Sequence, residues 1–291
     1  MKNTIDHQIP IYYAQQSRIT DPGEFKDNLL TSLDVSQLCD FINNLVLIDF
    51  LVTMNIISVP QLHKTDVNVR NVEEKINILL ARNESPLVEP RSNDEKILGN
   101  CRDTSILLCS MLRQNGIAAR LRSGFATFFD PEKRFDHWLC EYWDKEMSRW
   151  VKVDSWMYQI RYHQDILPPM LQAGLVNLPY NPLDVEDKYF VSGAQAWLKC
   201  QSQGEDPNNY GTYGDLQGLW FIRDNMLRDL LCLNKTEILP WDCKGLMSGE
   251  RGELIDQDKE TLNYVANLLI NTDNNFDKIR EYYKTTQNLH F

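Results

Sequence analysis

The feature that most constrains this chain is a change of hydrophobic period between residues 96 and 158. Ile106, Leu107, Leu108, Met111 and Leu112 recur at helical spacing in a run that ends at Gln114. Gly116 stands where a helix wants a left-handed terminator. Three strand-like runs follow, over 117–129, 135–143 and 149–154. Asp130-Pro131 joins the first two, and 144–148 joins the last two. Connections that short favour an antiparallel meander. A helix beside such a sheet makes the fold class α+β.

The flanks read as mostly helical. Before residue 95, Asp34 with Gln37 resembles a capping box, and Leu38, Phe41, Ile42, Leu45 and Ile48 follow at helical spacing. A second helix is expected over 69–82, stopped by Asn83 and Pro86. The most apolar stretch, 45–59, carries Asp49 and is shorter than the roughly 20 residues a membrane span needs. It is expected to be a buried helix. After residue 158 comes a segment with Pro168, Pro169, Pro179 and Pro182, then helices over 215–233 and 258–270, then a polar tail from 271 expected to fray. The expected organisation is a helical part over 1–95, a core over 96–158 and a mostly helical extension over 159–291, packed as one unit.

Composition removes several classes of function. With 43% hydrophobic residues, a 291-residue chain can bury a core without covalent staples. The seven cysteines are odd in number, scattered, and never in a CxxC pair, so neither a disulfide framework nor a zinc site is expected. Thirty Lys and Arg against 41 Asp and Glu give a net charge of -11, with no basic cluster. Nucleic acid and anionic membranes are therefore not expected partners. The opening MKNTIDHQIP has no apolar run, so the expected compartment is the cytoplasm, where thiols stay reduced. No metal or other cofactor is expected. No loop has EF-hand spacing, and Gly211-Thr212-Tyr213-Gly214 lacks the strand and the Lys of a phosphate loop.

One cysteine departs from the buried, inert default. Cys101, in LGNCRDTSILLCSML, falls at the first turn of the apolar helix. Unpaired N–H groups and the positive end of the helix dipole favour thiolate there. His137 lies on the second strand run and could serve as its acid and base. Asp154, at the end of the third run, could hold the imidazole in one tautomer. Taken singly, each has a plainer reading: a structural cysteine, a core histidine, a turn aspartate.

These blocks carry a resemblance. GNCRDTSILLCSMLRQNGIAAR resembles the nucleophile helix of the transglutaminase-like superfamily, and FDHWLCEYWD with RWVKVDSW resembles its His and Asp strands. Over its whole length the chain also resembles bacterial transglutaminase-domain proteins. The resemblance implies a papain-like core with Cys101 as nucleophile, His137 as acid/base and Asp154 as orienting carboxylate. It implies acyl transfer or hydrolysis at an amide bond through a thioester, as in amidases, deamidases, peptidases and transglutaminases. The substrate would be a peptide, a protein or a small amide. Many members place a Trp upstream of the cysteine to help hold the oxyanion; this chain has none before Trp138. Tyr12, Tyr13, Gln15 or Gln16 would substitute if the N-terminal segment folded over the site.

Trp138 and Trp156 are candidates to wall the substrate cleft, although a sheet face packed on the core is the plainer reading of both. Gln195, Trp197 and Tyr213 are candidates to cap it. Asp136 and Glu141 are expected to be solvated or paired, and Cys109 and Cys140 to be core residues. Two other functions fit the same residues. One is a non-catalytic module that binds peptides or proteins in the cleft. The other is a thioester-dependent acyltransferase, which would show a cofactor-sized apolar pocket beside Cys101.

Overall fold

A computed structural model of the protein describes residues 7–175, 177–212, 214–247, 256–286 and 289. The chain forms two compact units: 1–120 with 139–185, and 121–138 with 186–291.

The first unit begins with α1 (Gln8–Tyr13) and α2 (Val35–Leu45). Asp34 caps α2 by accepting from the Ser36 N–H, whereas Gln37 accepts from the Ser32 hydroxyl and leaves the expected box open. The stretch expected to be one buried helix is instead a strand, β1 (Val46–Ile48), followed by a short helix, α3 (Asp49–Thr53). The partner of β1 is β2 (Ile97–Gly99), which follows α4 (Val72–Arg82) and pairs in parallel, Val46 with Ile97 and Ile48 with Gly99. Both strands are fully buried. An unbroken apolar run of that kind suits a buried strand as well as a buried helix, and its partner is about fifty residues away.

Next comes α5 (Cys101–Gln114), closed by Gly116 at φ +69°. The strand runs appear as β3 (Ala119–Ala126), β4 (Arg134–Asp144) and β5 (Arg149–Val153). Within the first unit the last half of β4 pairs antiparallel with β5, Cys140 opposite Val153. Two short helices follow, α6 (Ser155–Ile160) and α7 (Pro169–Leu175).

The second unit holds residues 121–126 of β3 and 134–138 of β4. There β3 pairs antiparallel with β6 (Phe190–Ser192), which leads into α8 (Gly193–Ser202), and β4 pairs in parallel with β7 (Tyr210–Gly211). A long helix, α9 (Leu219–Leu233), is buried along nearly its whole length and carries charge inward. Its Asp229 takes a two-pronged ion pair from Arg122 at 2.9 and 2.8 Å and a third bond from the Ser123 N–H. Last come α10 (Asp256–Ile270) and α11 (Phe276–Thr285). The tail expected to fray is thus helical over ten residues, with Ile279 buried on its inner face. His290 and Tyr213 lie outside the described residues.

The fold is α+β. Among the described residues, which include all seven cysteines, no disulfide forms, and no helix is long and apolar enough to cross a membrane.

Candidate active site

Cys101 is the first residue of α5, and several contacts fix that point in space. Asp66 accepts two hydrogen bonds from Arg82 and one from the Leu98 N–H, which pins β2 just upstream. Gly99 is required by close packing: a Cβ there would lie 2.9 Å from the Asp103 Cβ and 3.0 Å from the Val46 Cγ1. Asn100 caps the helix by accepting from the N–H groups of Arg102 and Asp103, and the Asp103 carboxylate reaches back to the Asn100 N–H at 2.9 Å. This is a capping box with Asp in the usual Glu position. The N-terminal donors are thereby ordered while the Cys101 side chain stays half-buried.

Charge beneath this first turn is also unusual. Asp103 is fully buried with Lys75, whose Nζ lies 2.9 Å away, and with the Arg102 guanidinium at 3.3 Å. Burial pulls the Lys75 ammonium below its ordinary pKa, and the Asp103 charge pushes back. The helix dipole at this turn favours an anionic sulfur.

Asp154 is fully buried. It was expected on a strand, but β5 ends at Val153 and Asp154 is the N-cap of α6. One carboxylate oxygen accepts from the Met157 N–H at 3.0 Å, and the other from the Tyr180 hydroxyl at 2.9 Å. Its own N–H donates to the Pro182 carbonyl at 2.7 Å. The next residue, Ser155, donates to Thr104 at 3.0 Å, and Thr104 donates to the Cys101 carbonyl at 3.1 Å. The start of α6 is therefore tied to the turn that carries the sulfur.

His137 lies in the second unit, on the first half of β4, and is almost fully buried. The rings of Phe128 and Phe129 stand edge-on to it, at 6.3 and 6.1 Å between centroids. Its neighbour Asp136 accepts from Asn225 at 2.7 Å, and burial raises its carboxyl above the usual range. Trp138 is fully buried, and Glu141 is paired with Arg120 at 2.8 Å.

Trp156, in the first turn of α6, packs edge-on against Phe50 at 5.9 Å. Phe50 follows Asp49, which starts α3 one residue after the Ile48–Gly99 pairing. Burial, then the charge of Asp103, pushes the Asp49 carboxyl up to about 7, and hydrogen bonding from the Phe50 N–H and the Trp156 indole offsets part of that.

Two of the N-terminal candidates for oxyanion donors, Gln16 and Tyr13, have contacts elsewhere. Gln16 donates to the Ser110 carbonyl, nine residues past Cys101 and about 13 Å along the axis. Tyr13 is buried against Trp150, with the Arg120 guanidinium over both rings. These side chains serve the far end of α5. Residues that sequence reasoning passed over are Asp49, Lys75 and Tyr180. The Asn100-x-x-Asp103 spacing hinted at the capping box, but nothing in the sequence singled out the other three.

Residues 70–155 match the model of the transglutaminase-like superfamily. The match covers less than a third of the chain and spans Cys101, His137 and Asp154. Among solved structures, a candidate cysteine protease from Cytophaga hutchinsonii aligns at 20% identity with a TM-score of 0.18, over 46% of this chain and 42% of its own. No curated protein matches the chain.

Proposed function

We propose that the protein is a cysteine-dependent amide hydrolase in which Cys101, His137 and Asp154 act as a triad. The Cys101 thiolate attacks an amide carbonyl, and charge developing on the oxygen meets the backbone N–H of Cys101 itself. The His137 imidazolium then protonates the departing nitrogen, leaving a thioester on Cys101. Water, deprotonated by His137, cleaves the thioester and restores the thiolate–imidazolium pair. Asp154 accepts from the ring and keeps it in one tautomer. Trp156 walls the cleft on the side of α6. The substrate is a peptide, a protein or a small amide.

The observation that carries this reading is the environment of Cys101: a half-buried cysteine at the start of a capped helix, whose first turn is fixed by a buried Lys75–Asp103–Arg102 cluster. Three further facts support it. Thr104 and Ser155 tie that turn to the residue after Asp154. His137 precedes Cys140, the partner of Val153, by three positions. The family match spans all three residues.

The test is the pH dependence of Cys101 alkylation by iodoacetamide, with mass spectrometry to identify the modified thiol. Cys101 should react selectively at pH 6–7, and His137→Ala should move that reactivity to higher pH. If Cys101 is no more reactive than the other six cysteines, the reading is wrong.

A further inference from the structure

The extension beyond the family-matched segment touches the proposed triad at Asp154. Residues 177–183 run as a strap past the start of α6 and grip Asp154 twice, through the Tyr180 hydroxyl and the Pro182 carbonyl. The carboxylate is wholly cut off from water, so each of its oxygens needs a donor. Met157 N–H serves one oxygen and Tyr180 the other. We propose that Tyr180 is a positioning residue, which holds the Asp154 carboxylate aimed for its work on His137. The inference rests on the triad reading above.

Two points distinguish this role from plain packing. First, the phenol is a donor across the working pH range: its burial and the adjacent Asp154 charge raise its pKa well above the ordinary value. Second, the ring also lines a cavity of about 420 Å³, together with Met157, Tyr158 and Arg161. The other titratable groups near Asp154 do not compete for the role. Cys39, on α2, is held as a neutral thiol by burial. Arg161 is engaged with Asp40 at 2.7 Å and stacked on Tyr158. Tyr158 itself donates to Asp40.

Without the Tyr180 donor the Asp154 carboxylate loses one of the bonds that aim it, so it orients the ring less well and less of the thiolate–imidazolium pair forms. The experiment is the pH profile of Cys101 alkylation by iodoacetamide in the full-length protein, for wild type, Tyr180→Phe and Asp154→Asn. Tyr180→Phe keeps the ring and removes only the donor. Its labelling at pH 6–7 should be roughly tenfold slower, with circular dichroism unchanged. A wild-type profile in Tyr180→Phe, alongside slowed labelling in Asp154→Asn, overturns the proposal and leaves the triad standing. A wild-type profile in Asp154→Asn overturns the triad reading itself. Should Tyr180→Phe fail to fold, Tyr180→3-fluorotyrosine decides the matter. That stronger donor should speed labelling at pH 6–7, and an unchanged rate refutes the role.

Discussion

Asp103→Asn should be the most damaging single change at the start of α5. In the wild type, one carboxylate oxygen faces Lys75 Nζ at 2.9 Å and Arg102 Nη1 at 3.3 Å, and all three side chains are fully buried. The other oxygen caps the Asn100 N–H. Asparagine is nearly isosteric and can keep one of these contacts, so the change removes charge without removing volume. Two buried cations are then left without their anion. Breaking a buried pair on one side costs about 3–5 kcal/mol. Lys75 limits the loss because it can give up its proton, and burial already lowers its pKa. The sign follows from that. A lysine whose folded pKa lies below its unfolded one contributes a penalty that is absent above the unfolded pKa and grows as the pH falls. The deficit of the variant should therefore be about 3–5 kcal/mol at pH 7 and smaller at pH 9. Urea unfolding followed by tryptophan fluorescence at both pH values measures it. Adding Lys75→Met should restore part of the loss, since removing both partners costs less than stranding one. A deficit below about 1 kcal/mol at pH 7, or no recovery on adding Lys75→Met, would refute the account of this cluster.

Two more changes test neighbouring features. Gly99→Ala places a Cβ at 2.9 Å from the Asp103 Cβ and 3.0 Å from the Val46 Cγ1. It should cost about 1–3 kcal/mol in thermal or urea unfolding and should slow Cys101 alkylation, because the turn must shift. Burial pushes the Asp49 carboxyl up to about 7, well above the ordinary carboxylate range. Its burial helps stability below about pH 4, and that help is lost as the pH rises through 7. Asp49→Asn should therefore be more stable than wild type at pH 8, by about 1–2 kcal/mol after allowing for its partial exposure, and close to it at pH 4. Melting curves at the two pH values read this directly, and parallel curves would contradict it.

What the sequence disclosed follows from how far apart the determinants lie. The N-terminus of α5, the left-handed Gly116 and the three strand runs are set by residues close in sequence, so their period and punctuation can be read directly. The pairing of β1 with β2 joins segments about fifty residues apart, and a three-residue apolar run carries no period that would separate strand from helix. Tyr180 is harder still. Its role arises from one hydroxyl in a loop that reaches Asp154 from 26 residues away, and a tyrosine in a Pro-rich loop has no local signature.

At Asp154 the strand expected from the sequence stops one residue short. The RWVKVDSW block fixes the residue type, and alternation suggests that the strand continues through it. The strand stops one residue earlier because an Asp followed by three helix-compatible residues satisfies the Met157 N–H better as a cap than as a ladder member. That choice has a chemical consequence. As a cap, the carboxylate has one oxygen committed to the backbone and is oriented by α6 rather than by the sheet. Its second oxygen then needs a donor from outside the core, and Tyr180 supplies it. Cys101 is built on the same plan: it too opens a helix, and the caps of α5 and α6 are joined through Ser155 and Thr104. Both side chains are thus positioned by helix starts, which are rigid and rich in N–H donors. Substitutions at Asn100, Thr104 or Ser155 should accordingly disturb both residues together.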